Sequence, residues 1–187
     1  MTTAPAPDDA SRVLEHWLAA EVALREQHRH GAGPGVAPRE VVLSIDGLTL
    51  LQRILSGELP HAAIAETLDF LLVEVQRGRA VFQGTPGPRH FNPMGGMHGG
   101  WYATLLDSAL GCAVHTMMPV GRSYTTAELS VNLVKAIPPG LPRVRAEGTV
   151  LHCGRQLATA EARLVGPDGT LYAHGTTTCL VFEIGGR

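Results

Sequence analysis

Lysine is almost missing from this chain. It occurs once, at Lys135, so nearly all of the 15 basic residues in 187 are arginines, and they are scattered rather than gathered in a run. A net charge of −2 without a basic cluster argues against a nucleic-acid surface. Charged residues make up only 17% of the chain, yet no apolar run approaches the ~20 residues of a membrane-spanning helix. The N-terminus lacks a basic start followed by an apolar segment, so no secretory signal is expected. The three cysteines, Cys112, Cys153 and Cys179, show no CxxC spacing. They read as buried free thiols of a cytoplasmic protein.

Several catalytic signatures are missing too. There is no GxSxG nucleophile turn and no GxxxxGK[ST] phosphate loop. The nine histidines include no HExxH, and His28 and His30 stand two apart, off a common helix face. No metal site is expected. The glycines of Gly31 to Pro38 (GAGPGVAP) follow no strand and read as a linker.

What the chain does contain is a glycine-rich turn running into an apolar helix. Asn92-Pro-Met-Gly-Gly-Met-His98-Gly99-Gly100 leads directly into Trp101-Tyr-Ala-Thr-Leu-Leu-Asp107, and Asp107 is the one carboxylate between residues 101 and 118. Leu105, Leu106, Ala109, Leu110 and Ala113 around it belong in a core. An ionised carboxylate buried there needs dedicated partners or does chemistry. The turn leaves free N–H groups at a helix N-terminus, where negative charge is stabilised. Bland readings stand beside these. Asp107 could simply meet an arginine, His98 could cap the helix, Asn92 could brace the turn, and Gly99 and Gly100 could be only a tight turn. Spacing adds a constraint. His98 and Asp107 lie nine residues apart, roughly 13 Å along a helix. If both ends are catalytic, they come from two different chains, and the site lies at a dimer interface.

The periodicity predicts helices over residues 11–30, 46–56 and 62–68, with Ser11 and Asp46 as caps, after a disordered start over residues 1–10. Strands follow over 70–76, 79–85, 124–136, 144–153, 156–165 and 170–182, with the long helix at 98–117 between the second and third. A helix apolar nearly all round must be enclosed, which suits a curved antiparallel sheet wrapped around it, an α+β arrangement.

These residues resemble the hotdog-fold acyl-CoA thioesterases of the PaaI type. The resemblance runs over about residues 62–183 and rests on Asn92, His98-Gly99-Gly100, Asp107 nine positions later, Thr125-Thr126-Ala-Glu-Leu-Ser-Val-Asn-Leu, and a Pro-Pro-Gly turn. It implies that Asp107 acts on a thioester carbonyl as nucleophile or general base. Gly99 would offer its N–H to the carbonyl oxygen, Asn92 and His98 would place carbonyl and water, and Thr126 would orient the water. Gly100 and Thr125 would touch substrate. It also implies no cofactor and no metal, an acyl-CoA substrate, and a homodimer or dimer of dimers with shared sites.

Residues 1–60 are extra relative to compact members, so the expected division is an N-terminal helical extension, 1–60, and a hotdog thioesterase domain, 61–187. The first helix should dock through Trp17, Leu18, Val22 and Leu24, adding to the oligomer contact and carrying no chemistry. Trp101, Tyr102, Met117 and Met118 are candidates to line an acyl pocket, which a small aryl or a medium-chain acyl group would suit equally. Two competing functions are a non-catalytic acyl-CoA-binding module and a hotdog enoyl-CoA hydratase. The second would need a histidine beside Asp107, and His115 lies a turn too far.

Overall fold

A computed structural model describes residues 7–184. Six strands form one antiparallel sheet: β1 (Phe70–Gln76), β2 (Arg79–Gly84), β3 (Arg122–Leu133), β4 (Val144–Cys153), β5 (Leu157–Val165) and β6 (Leu171–Glu183). Their spatial order is β1-β2-β4-β5-β6-β3, with β1 and β3 at the edges. The curved sheet wraps the long helix α5 (Gly99–His115), whose Leu105, Leu106, Ala109, Leu110, Ala113 and Val114 are wholly buried. This is the expected hotdog α+β architecture.

Small residues let the helix lie close to the sheet. Along β5 the inward positions Ala158, Ala160, Ala162 and Leu164 are buried, while Leu157, Glu161 and Arg163 between them are exposed. On β4, a Cβ at Gly148 would collide with the Ala109 carbonyl of the helix, so a glycine is required there.

Four helices precede the sheet: α1 (Pro7–Arg29), α2 (Arg39–Ser44), α3 (Gly47–Leu55) and α4 (Ala63–Thr67). Asp46 caps α3, its side chain accepting from Thr49 N at 3.0 Å. Strands β1 and β2 carry apolar residues on both faces because both faces are covered. Phe70, Leu72, Ala80 and Phe82 point into the main core, whereas Leu71, Val73 and Val81 form a second cluster with Leu24 of α1. At the centre of this outer contact the Glu21 carboxylate, 3% exposed, accepts from Arg25, Arg143 and Gln83. Gln83 in turn accepts from Arg145 Nε at 2.9 Å, and the Arg145 guanidinium lies 4.6 Å above the Trp17 ring.

Asp69, between α4 and β1, has φ 52°, a left-handed conformation held by ion pairs to Arg25 and Arg89, each at 2.8 Å.

Several sequence expectations are corrected. Helix α1 begins at Pro7, so residues 7–10 are helical and Ser11 lies inside the helix rather than capping it. Residues 1–6 of the expected disordered start lie outside the described residues. Val22 is 70% exposed, and Glu21, a polar break in the apolar stripe, takes the central position. The linker is tied down: Ala32 N donates to Gly57 O, Gly35 N to His61 O and His61 N to Gly33 O. Helix α2 escaped notice because six residues give too short a period to detect. Cys179 is buried, but Cys112 and Cys153 are only partly so; all three are free.

Candidate active site

The segment before α5 is a small hairpin. Phe91 pairs with Met97, Asn92 N donates to Gly96 O at 2.7 Å, and Gly95 sits at φ +82°. Asn92 Oδ1 accepts from Met94 N and Gly96 N at 3.0 and 3.1 Å, so its side chain braces the turn. His98 is the N-cap of α5: its Nδ1 accepts from Gly100 N at 2.9 Å. An accepting Nδ1 carries no proton, which leaves any ring proton on Nε2. Gly99, the first helical residue, keeps an N–H with no acceptor among the described residues. It points from the positive end of a helix of 17 residues.

Two turns along the same helix, Asp107 is half-buried and faces β3. The Thr126 hydroxyl donates to Asp107 Oδ1 at 3.2 Å. Asp107 Oδ2 has no hydrogen-bond partner among the described residues, and no arginine meets this acid. The ion-pair reading is therefore not what the structure displays. A bulge between Thr126 and Glu128 interrupts the pairing of β3 with β6, a device that commonly re-aims a side chain beside a site.

The surroundings of Asp107 are apolar and protonated. Burial pushes the Cys112 thiol up to about 12, with the Asp107 charge adding to the effect. Burial also raises the Tyr124 phenol well above its ordinary value and raises the Cys179 thiol. These groups stay neutral near pH 7, so neither thiol is an activated nucleophile. His115, whose ring lies 5.7 Å from that of Tyr124, is pushed down by burial against a weaker upward pull from Asp46. A cleft of about 440 Å³ runs past His115, Ser123, Tyr124, Thr125 and Thr126, with Leu51 and Cys112 as its inner wall. Sequence reasoning read Cys112 only as a buried thiol and placed neither it nor Leu51 in a pocket, since nothing local marks an apolar residue as a pocket wall.

The expected site residues thus fall into two groups. Asp107, Thr126 and Thr125 meet along α5 and β3. Asn92, His98, Gly99 and Gly100 gather at the helix start, two turns away on the same chain. Trp101 and Tyr102 are packed in the core, their polar atoms engaged by Leu68 O and Ile137 N, and Met117 and Met118 line neither large cavity. The expectation that these four line an acyl pocket is corrected: their bulk is spent on the core. Among the described residues no group of three or more His, Cys, Asp or Glu could hold a metal ion, and no helix is long and apolar enough to cross a membrane.

The family model of the thioesterase superfamily matches residues 94–173, a span that includes His98, Gly99, Gly100, Asp107, Thr125 and Thr126. This stretch of the chain is similar to the thioesterase superfamily. Solved structures agree with this. A conserved protein from Pseudomonas aeruginosa is 28% identical, covers 65% of this chain and 95% of its own, and has a TM-score of 0.61. A phenylacetic acid degradation-related protein from Ralstonia eutropha is 26% identical, covers 69% and 97%, and has a TM-score of 0.63. A thioesterase family protein from Silicibacter pomeroyi is 25% identical, covers 65% and 90%, and has a TM-score of 0.59. No curated protein matches the chain. The match over residues 94–173 supports a thioester hydrolase.

Proposed function

We propose that this chain is a PaaI-like acyl-CoA thioesterase that hydrolyses a small aryl or medium-chain acyl-CoA to free acid and CoA. The observation that carries the reading is Asp107, a carboxylate in an apolar setting with one oxygen held by Thr126 and the other free. A general base or nucleophile needs a free lone pair aimed at the reacting atoms. In the general-base route, Oδ2 takes a proton from a water held beside Thr126, and the water oxygen attacks the thioester carbon. In the nucleophilic route, Oδ2 attacks directly and water then cleaves the anhydride. The carbonyl oxygen gains charge in both. A Gly99 N–H at a helix start is suited to receive it, with His98 and Asn92 fixing the shape of that turn. Gly100 and Thr125 flank these groups on the substrate side. Collapse of the tetrahedral intermediate expels the CoA thiolate. The chemistry asks for no cofactor and no metal.

Gly99 and Asp107 lie eight residues apart on one straight helix, about 12 Å. One carbonyl does not span that distance, so the proposal pairs Asp107 of one copy with Gly99 of another. Strand β3 supports this, as an edge strand of 12 residues that leaves Thr125, Thr126, Ala127 and Glu128 exposed. A long open edge is a natural contact for a second copy. The reading thus includes a homo-oligomer, a dimer or dimer of dimers, placed in the cytoplasm, with residues 1–60 as an extension to the 61–187 thioesterase domain. Incubation with a panel of acyl-CoAs and a thiol reagent tests it. Release of free CoA supports hydrolysis. Binding without turnover would favour an acyl-CoA-binding module, and a change in enoyl absorbance a hydratase. Single-turnover hydrolysis in ¹⁸O-water identifies the nucleophilic route if label enters Asp107, which happens when water cleaves the anhydride at the Asp107 carbonyl.

A further inference from the structure

A second cavity, of about 490 Å³, lies under the helices that precede the sheet. Leu51, Ile54, Ala65, Phe70, Leu72 and Phe82 make its floor, from α3, α4, β1 and β2. Its mouth is built by the last turn of α1 and the tied-down segment around Gly33 and Pro34. Its volume lies inside the ~300–1,000 Å³ of small-molecule pockets. Leu51 and Cys112 are walls of this cavity and equally of the cleft that reaches Thr126. The two spaces are therefore neighbours across one pair of side chains, and the cleft begins beside the Asp107–Thr126 hydrogen bond.

We infer that this inner cavity receives the acyl part of the substrate, and that the segment before β1 sets which acyl chains fit. The inference rests on the thioesterase reading and deepens it. Arg25, His28, Gly33, Pro34, Leu51 and Ile54 of its lining come from the first 60 residues, so the N-terminal extension builds one side of the pocket and the sheet the other. The cations at the mouth are already engaged. Arg25 binds Glu21 and Asp69, Arg29 binds Glu26, and His61 contacts Glu66 while its ring stacks on His28 at 5.0 Å. With an apolar floor and no spare cation, the cavity selects an unsubstituted apolar chain over one ending in a carboxylate. It also favours an extended chain over a short one.

The test compares kcat/KM for butyryl-, octanoyl- and dodecanoyl-CoA in the wild type, Ala65→Phe and Ile54→Trp. Displacement of a fluorescent fatty acid by dodecanoate reads the cavity without turnover. The wild type should favour the longer chains. Each filling substitution should lower the dodecanoyl-to-butyryl ratio of kcat/KM about tenfold or more, the scale on which pockets discriminate by a methylene, and should weaken dodecanoate binding in parallel. Ala62→Phe at the exposed rim supplies the same block if a core variant does not fold. A wild type indifferent to chain length, or folded variants that lower all substrates equally, would overturn the inference. If no acyl-CoA is hydrolysed, the thioesterase reading fails. The displacement assay then still decides whether the cavity holds a chain: weakening by Ala65→Phe supports it, and no effect refutes it.

Discussion

The Thr126 hydroxyl donates to Asp107 Oδ1 across 3.2 Å, tying an exposed edge strand to the buried helix. This leaves Oδ2 free to act as the reactive oxygen of the proposed mechanism. Asp107→Asn keeps the shape and the hydrogen bond but removes the base. It should lower kcat by roughly 10²–10⁴, the usual contribution of a positioned acid or base. Circular dichroism and gel filtration should be unchanged. Wild-type turnover in the Asn variant would remove Asp107 from the mechanism.

Thr126 is expected to act by position. Thr126→Ser preserves the hydroxyl and should keep most activity. Thr126→Val deletes it and should cost about tenfold in kcat, the worth of one hydrogen bond at ~1.4 kcal/mol. Steady-state kinetics on one acyl-CoA checks both. Equal losses in Ser and Val would mean that side-chain shape, and not the hydroxyl, is what matters.

A shared site can be tested by mixing subunits. Asp107→Asn and Gly99→Pro should each be inactive. Proline is tolerated at the first position of a helix, so Gly99→Pro removes the N–H while leaving the helix intact. Exchanged heterodimers would contain one site with both groups intact. Partial recovery of activity is expected, and none after verified exchange would place the two groups in separate roles.

Much of this was legible in the chain itself. The periodicity marked all six strands, and β1 and β2 lie where strands over 70–76 and 79–85 were expected. The α5 helix and its lone acid were visible because burial of a carboxylate is costly wherever it happens. Residues that depend on long-range meetings were not legible. Glu21 reads locally as a break in an amphipathic stripe, and only its distant partners Gln83 and Arg143 make it central. Leu51 and Cys112 become pocket walls only once α3 is laid against α5. Trp101 and Tyr102 looked like pocket residues because aromatics beside a glycine turn suit a ligand. Their hydrogen bonds to Leu68 and Ile137 commit them to the core instead.

Glu21 gives a prediction with a sign in pH. Burial works to raise its pKa, but Arg143, Arg25 and Gln83 outweigh it, and the carboxyl lies below its ordinary value. A carboxyl lowered on folding adds stability above its unfolded value, ~4.3, and loses it as pH falls through the folded value. Glu21→Ala should therefore cost about 3 kcal/mol at pH 7, the low end for breaking a buried pair, since Arg25 is 46% exposed. The corresponding fall in Tm is roughly 6–12 °C for a chain of this size. At pH 3 the gap between variant and wild type should narrow. A gap independent of pH would mean that packing, not charge, is what Glu21 supplies.

Deleting residues 1–38 should do more than loosen an oligomer. Helix α1 is marginal alone in water, yet here it covers the outer face of β1, β2 and β4. Its removal would bare Leu71, Val73 and Val81. It would also strip Gln83, wholly buried, of Glu21 and the Trp17 carbonyl, and take the Trp17 ring from Arg145. Buried polar groups left without partners cost about 1–3 kcal/mol each, and more when charged. The sum approaches the ~5–15 kcal/mol that holds an ordinary domain together. The truncated chain should therefore aggregate or lose its cooperative melt, and its activity should fall with its folded fraction. The milder Trp17→Ala, which leaves the backbone of α1 in place, should lower stability by ~3 kcal/mol or more while kcat of the folded protein stays within about tenfold, a change of roughly 1.4 kcal/mol in barrier. A truncated chain that melts cooperatively near the wild-type temperature would show that the sheet closes without α1 and that its network is dispensable.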